Sequence, residues 1–405
     1  MLVIAAPGQG AQTPGFLAPW LELPGVLDRL AGWSELAGID LIRYGTRAGA
    51  DDIRDTAVAQ PLLVAAALAA AETIGVMGMA SGIAVAGHSV GELAAGPIAG
   101  AISPEDALAL VAVRGRAMAD AAAAERTSMT AVLGGDEAGV LAAIEACGLT
   151  PANINGAGQI VAAGTISQLA NFAAAPPAGA RLRPLRVAGA FHTHHMAPAV
   201  AALSAAAADV KVGDPAVPLL SNADGAAVGS GTDWLERIVN QVSAPVRWDL
   251  CMASMASLGA TALLELPPAG TLTGLARRAL PGVRLLAVKT PDDLAQAREL
   301  LDEHADHPFG HRDSHAPEWR LAVAPRGGKF RHSGDGPSLV PGSSVSAGAE
   351  LGRVETRSGH ETVTAGFPAT IIEWLVENGD PVSQGRPLVR LRPAGHDSYS
   401  EQERQ

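Results

Sequence analysis

The sequence predicts an α/β protein with a parallel sheet, interrupted by a small α+β insertion and followed by a small all-β module. Three observations carry this. Short buried apolar runs lead into tight glycine turns and then helices, the order of a parallel α/β fold. Between about Thr127 and Ala190 short strand and helix patterns alternate at closer spacing. From about Trp319 to Pro393 only short apolar runs remain, separated by glycine turns, as in all-β modules.

The elements follow in order. Leu2–Ala6 is an apolar strand, and Pro7-Gly8-Gln9-Gly10-Ala11-Gln12 is a glycine-rich turn. A helix is expected over Gln60–Ile74. Ile83–Ala86 is a second buried strand that runs into Gly87-His88-Ser89-Val90-Gly91, and an Ala/Leu pattern after Gly91 predicts a helix. In the insertion, strands are expected at Met129–Leu133, Gln159–Ala163 and Arg183–Ala188, with helices over Glu137–Cys147 and Ile166–Ala174. The first pattern then resumes, with strands at Leu219–Ser221, Ala262–Glu265 and Leu285–Val288. Helices are expected over Trp234–Gln241 and Pro291–His304. These assignments give a first domain over residues 1–300, with its small subdomain at about 127–190. A polar linker follows at 301–318, then the β-rich domain at 319–393 and a disordered tail at 394–405.

Composition narrows the function. The 405 residues are 48% hydrophobic but only 3% aromatic, so the core is built mainly from Ala, Leu and Val. A net charge of −12 argues against broad nucleic-acid binding. No apolar run reaches the ~18–20 residues of a membrane span. The first residues carry no basic region or long apolar core, so no signal peptide is expected. Two cysteines, Cys147 and Cys251, read as reduced thiols in a cytoplasmic protein. His304, His307, His311 and His315 have spacings that one helix face could offer to a metal, but Pro308 and Gly310 break that helix. The expectation is no metal there.

Gly87-His88-Ser89-Val90-Gly91 carries the chemistry. A serine hydroxyl needs a base to take its proton. A strand-to-helix elbow, with glycine at the crowded flanks, holds the serine exposed and strained. A glycine-rich turn with a capping serine has the same letters; the strand before and the helix after favour the nucleophile.

Together with Gly189-Ala190-Phe191-His192-Thr193, Gln60-Pro61, Val113-Arg114-Gly115 and Gln241-Val242-Ser243-Ala244-Pro245-Val246, these motifs resemble the malonyl-CoA:acyl carrier protein transacylases over about Met1–Arg298. The resemblance implies an α/β-hydrolase-like core with a ferredoxin-like insertion. It implies malonyl transfer through a covalent Ser89 ester, with His192 as base and acid and the carbonyl of Gln241 orienting it. The backbone N–H groups of Gln9 and Val90 would form the oxyanion hole. Arg114 would grip the malonyl carboxylate, with Gln60, Phe191 and Asn155 in the substrate site. Phe191 would exclude an α-methyl group by size. Without the resemblance, Arg114 reads as a helix-surface arginine. The donor and acceptor would be malonyl-CoA and an acyl carrier protein, with no tightly bound cofactor. Arg181, Arg183 and Arg186 are candidates for docking the acidic carrier, and a solvated charged edge is the equal alternative. A metal held by His192, His194 and His195 is not expected, since no Asp, Glu or Cys stands close by in sequence.

The competing reading is a serine thioesterase or hydrolase acting on acyl-CoA, since that class shares the elbow. Arg114 and Gln241 favour transfer. A non-catalytic scaffold is the third reading.

The β-rich module resembles a biotinyl/lipoyl barrel-sandwich domain through Val354-Glu355-Thr356-Arg357, Ala369–Glu373 and Gly385-Arg386-Pro387-Leu388-Val389. Ser358 stands where that family has its modified lysine. Neither biotin nor lipoate can form its amide on serine, so no modification is expected. The resemblance implies a docking or spacer element, with another enzyme as one possible partner.

Overall fold

The computed structural model describes residues 1–305, 320–333, 339–356 and 359–393. The chain divides into two compact units, Met1–Phe309 and Gly310–Gln405.

The first unit begins with β1 (Leu2–Ala6), α1 (Val26–Ala37), α2 (Leu41–Thr46), α3 (Thr56–Ile74), β2 (Ile83–Gly87), α4 (Glu92–Ile98) and α5 (Pro104–Ala124). Then come β3 (Thr127–Gly134), α6 (Glu137–Ala146), β4 (Thr150–Ile154), β5 (Gln159–Thr165), α7 (Ile166–Ala174) and β6 (Ala180–Pro184). It closes with α8 (Ala197–Ala207), β7 (Leu219–Leu220), α9 (Gly231–Gln241), β8 (Val246–Arg247), α10 (Trp248–Ser257), β9 (Ala262–Glu265), α11 (Thr271–Ala279), β10 (Arg284–Ala287) and α12 (Leu294–Ala305).

The main sheet has the order β10-β9-β1-β2-β7 and is parallel throughout. Its central strand is fully buried, and its side chains alternate between two cores. Leu2, Ile4 and Ala6 join the α3 and α5 side. Val3 and Ala5 join Trp248, Met252, Leu272 and Leu275 of α10 and α11. The period of two thus sorts one strand between two helical layers. Asp55 caps α3 by accepting from the Ala57 N–H, and Gly75, in the left-handed region at φ 97°, ends it. Among the described residues, α3 is the only helix long and apolar enough to cross a membrane, and 83% of it is buried inside this unit.

The insertion runs strand-helix-strand-strand-helix-strand. Its order is β6-β3-β5-β4, extended by β8. Two assignments from sequence are corrected here. The last strand is Ala180–Pro184, not Arg183–Ala188: it pairs with β3 from Gly134 to Thr130 and ends at Pro184. Residues beyond it, including Arg186 and Val187, leave the sheet to line a cavity. β4 was not anticipated, because Pro151 and Asn153 hide it. The register shift beside Pro151 absorbs the missing donor.

The second unit contains β11 (Arg320–Val323), β12 (Gly328–His332), β13 (Ser344–Val345), β14 (Glu350–Thr356), β15 (Gly359–Thr364), β16 (Ala369–Trp374), β17 (Pro381–Val382) and β18 (Pro387–Pro393). Two antiparallel sheets, β11-β18-β16-β13 and β15-β14-β12-β17, face one core. Phe330 and Val354 of one sheet meet Ile371, Leu388 and Leu391 of the other. Ser358, His307, His311, His315 and the tail at 394–405 lie outside the described residues.

Candidate active site

The site stands at the carboxyl ends of β1 and β2, where parallel sheets place their ligands. Crowding creates the elbow there. A Cβ on Gly87 would overlap the backbone of Gly91 and Glu92, and one on Gly91 would overlap the carbonyl oxygen of Ala6. Only glycine allows the turn to fold back so closely. Ser89 is driven into the left-handed region at φ 53°, and His192 sits there too at φ 61°. A non-glycine residue at such angles costs about 1–3 kcal/mol, which the surroundings must offset.

Ser89 Oγ lies 2.7 Å from His192 Nε2. His192 Nδ1 lies 2.9 Å from the backbone carbonyl of Gln241, which can only accept, so Nδ1 carries the proton. Nε2 is then free to accept from the serine hydroxyl. Burial, and next the charge of Arg114, push His192 down to about 3, so the imidazole is neutral at neutral pH. It is a base ready for use.

Arg114 is not on a helix surface, since it is only 1% exposed. Its Nη1 donates to Gln60 Oε1 at 2.7 Å and its Nη2 to Gln241 Oε1 at 2.9 Å, with Ser89 Oγ 3.5 Å from Nη2. Both close partners are neutral amides. Among the described residues no carboxylate comes within salt-bridge distance of it. Burial lowers Arg114 to about 10, which leaves it charged at neutral pH. A guanidinium beside the nucleophile, without a contact anion, suits a substrate carboxylate.

Two further residues escaped the sequence reading. Asn222, fully buried, spans the elbow: its Oδ1 accepts from the Ser89 N–H at 2.7 Å and its Nδ2 donates to the Gly87 carbonyl at 2.8 Å. Glu92, 2% exposed, accepts from the Asn222 N–H at 2.9 Å and from the Gln241 side-chain amide. Burial raises its carboxyl well above the usual range, opposed by the Asn222 N–H and the charge of Arg114. The sequence held one signal: Glu92 is the single charge in an otherwise apolar helix, Glu92–Ile98, whose residues are all buried.

A cavity of about 510 Å³ opens over Ser89 and His192, lined among others by Gln9, Gln60, Val90, Asn155, Arg186 and Phe191. Gln9 is held by its side chain, which donates to the Arg54 carbonyl at 3.2 Å. Asn155 is tied to a neighbour: its Oδ1 accepts from Nε2 of the partly buried His88 at 2.9 Å. Arg181 and Arg183 are exposed on one face of β6, and Arg186, also exposed, lies beyond the strand at the cavity. His195 does have an acidic neighbour, Glu125, at 2.8 Å and 70 residues away in sequence. His192 is committed to Ser89 and Gln241, and among the described residues no group of three ligands could hold a metal. His304 instead meets the Leu300 carbonyl and Thr261.

Residues 7–291 match the acyl transferase domain family. A malonyl CoA-acyl carrier protein transacylase of Mycobacterium bovis is 53% identical over 302 residues, covering 74% of this chain and 100% of that protein. The chain belongs to this transacylase family. The Escherichia coli K12 transacylase is 33% identical over 73% of this chain and 97% of its own length. The crystal structure of MCAT from Mycobacterium tuberculosis superposes with a TM-score of 0.72 at 52% identity, over 74% of this chain and 99% of that one. A type II PKS acyl-carrier protein in complex with its malonyl-transacylase matches with a TM-score of 0.69 at 29% identity, over 74% and 99%. All these matches leave about a quarter of the chain uncovered. In this chain Ser89, His192 and Arg114 fall at one point of the matched fold.

Proposed function

We propose that this chain moves a malonyl group from malonyl-CoA to the phosphopantetheine thiol of an acyl carrier protein through an ester on Ser89. His192 Nε2 takes the hydroxyl proton as Ser89 Oγ attacks the thioester carbonyl. The developing oxyanion faces the backbone N–H groups of Gln9 and Val90. The C–S bond breaks and His192 returns the proton to the leaving CoA thiolate. In the second half the carrier thiol gives its proton to His192, attacks the ester and frees Ser89. The malonyl carboxylate stays paired with Arg114 in both halves, and Gln60 and Phe191 shape its pocket. No step draws on a bound cofactor.

The observation that carries this reading is the adjacency of Ser89, His192 and an Arg114 without a contact anion. The names of the close relatives, and the neighbour solved with its carrier protein, support the substrates. The bacterial sources of these relatives support a cytoplasmic site of action. The five-stranded parallel sheet supports the α/β-hydrolase-like description, and the β6-β3-β5-β4 order supports the ferredoxin-like one. Arg181, Arg183 and Arg186 are proposed to meet the acidic carrier. The test is intact-mass analysis after mixing with malonyl-CoA. One added malonyl group is expected, lost in Ser89→Ala; hydrolysis without a trapped ester or carrier stimulation would favour the thioesterase reading.

For the second unit, two antiparallel sheets around one core support the biotinyl/lipoyl-like description. With no lysine after Lys329, the unit is read as an unmodified docking or spacer element, possible partners including another enzyme. A streptavidin-positive band from the purified protein would overturn that.

A further inference from the structure

The side chain of Gln241 lies between two groups of opposite hydrogen-bonding character. Arg114 Nη2 can only donate, and it meets Gln241 Oε1 at 2.9 Å. On the other side Gln241 Nε2 donates to Glu92 Oε2. Glu92 Oε1 accepts from the Asn222 N–H at 2.9 Å, so both carboxyl oxygens receive N–H hydrogens; these contacts and the charge of Arg114 favour the carboxylate against the burial that pushes the group up to about 8. Protonating Glu92 would require Gln241 to turn its oxygen toward Glu92 and its NH2 toward a guanidinium that has only donors to offer. The cation beyond the amide therefore favours the carboxylate, and the carboxylate fixes the amide. These groups lie 149 residues apart in sequence, and Glu92 does not itself touch the cavity.

We propose that Glu92 is a positioning residue for acyl-group selectivity: its carboxylate locks the amide of Gln241, which in turn aims the Arg114 guanidinium at the carboxylate of the substrate. Gln241 thereby does two separate things. Its backbone carbonyl sets the tautomer of His192, and its side chain sets the direction of Arg114. The inference rests on the reading that Arg114 receives the substrate carboxylate.

Glu92→Gln keeps the shape of the side chain. One of its polar atoms becomes a donor, and with the other still accepting from Asn222, Gln241 must present its oxygen to it. The NH2 of Gln241 then faces Arg114, and the guanidinium loses its acceptor. A hydrogen bond to a charged group, lost in this way, is worth roughly ten- to a hundred-fold. The experiment measures Ser89 acylation by quenched intact mass with malonyl-CoA and with acetyl-CoA, which lacks the carboxylate. In Glu92→Gln the ratio of the malonyl rate to the acetyl rate is expected to fall roughly ten- to a hundred-fold. A general loss of folding would lower both rates together and leave the ratio in place, which would overturn the inference. Gln241→Met, which keeps the backbone carbonyl on His192, is expected to lower the ratio similarly and serves if the first variant is unstable. In an Arg114→Ala background Glu92→Gln should change the ratio no further; an additive fall would show that Glu92 does not act through Arg114. Failure of the underlying reading looks different. Wild type would then take up no malonyl group, or Arg114→Ala would keep the wild-type ratio.

Discussion

Asn222→Ala removes the brace across the elbow. In the native structure its side chain accepts from the Ser89 N–H at 2.7 Å and donates to the Gly87 carbonyl at 2.8 Å, in a site with no exposure to solvent. Alanine leaves the buried Gly87 carbonyl and the partly buried Ser89 N–H without these partners. Each such group costs about 1–3 kcal/mol, so the two together cost about 2–6 kcal/mol. The loss falls where Ser89 is already held at φ 53°. Freed of the brace, the backbone relaxes toward ordinary angles and carries Oγ away from His192. A displacement of about 1 Å costs about a hundred-fold in rate. Two measurements follow. Calorimetry of the full chain should show Tm lowered by roughly 4–24 °C, taking about 2–4 °C per kcal/mol. Quenched intact-mass analysis should show malonyl-Ser89 forming about a hundred times more slowly at a temperature where the variant is folded. A Tm within about 1 °C of wild type and an unaltered acylation rate would refute the claim that Asn222 holds the elbow.

Other perturbations have equally definite outcomes. Because His192 is pushed down to about 3, lowering the pH from 7.5 to 5.5 should leave the base neutral and the acylation rate nearly flat; an acid limb with an apparent pKa near the ordinary histidine value would contradict its burial. Gly91→Ala should abolish acylation and destabilise the first unit by more than about 3 kcal/mol, since the added carbon overlaps the fixed backbone of Ala6, and a soluble active variant would disprove the crowding argument. Charge reversal of Arg181 and Arg183 together should raise the KM for carrier protein and leave hydrolysis of the acyl-enzyme unchanged; an unaltered KM would remove them from the docking surface.

Much of this architecture was legible before any coordinates. The strands β1, β2 and β9 are short apolar runs buried on both faces, which parallel sheets require. The elbow was legible because its glycines answer to steric demands within one short segment. β4 was not, since Pro151 and Asn153 disguise a strand that is stabilised by its neighbours β5 and β8. Arg114 was misplaced to the surface when its own helix alone was considered. Its burial comes from Gln60 and Gln241, 54 and 127 residues away. The brace at Asn222 was invisible for the same reason: what it holds lies 133 residues earlier. Local steric rules can be read from a segment, whereas a buried polar network exists only once distant segments meet.

The central strand of the main sheet is also the first to be made. β1 pairs with β2 on one side and with β9, at Ala262–Glu265, on the other. At a synthesis rate of roughly 5–20 residues per second, the edge of β1 that faces β9 waits on the order of 13–50 s for its partner. Every residue assigned to the chemistry, from Gln9 to Gln241, has been joined to the chain before that partner exists. A ribosome stalled in that interval would hold a chain with its full catalytic complement and an open apolar sheet edge, which is a template for aggregation. For this protein, completion of the sheet and not of the catalytic residue set marks the point in translation at which an enzyme exists.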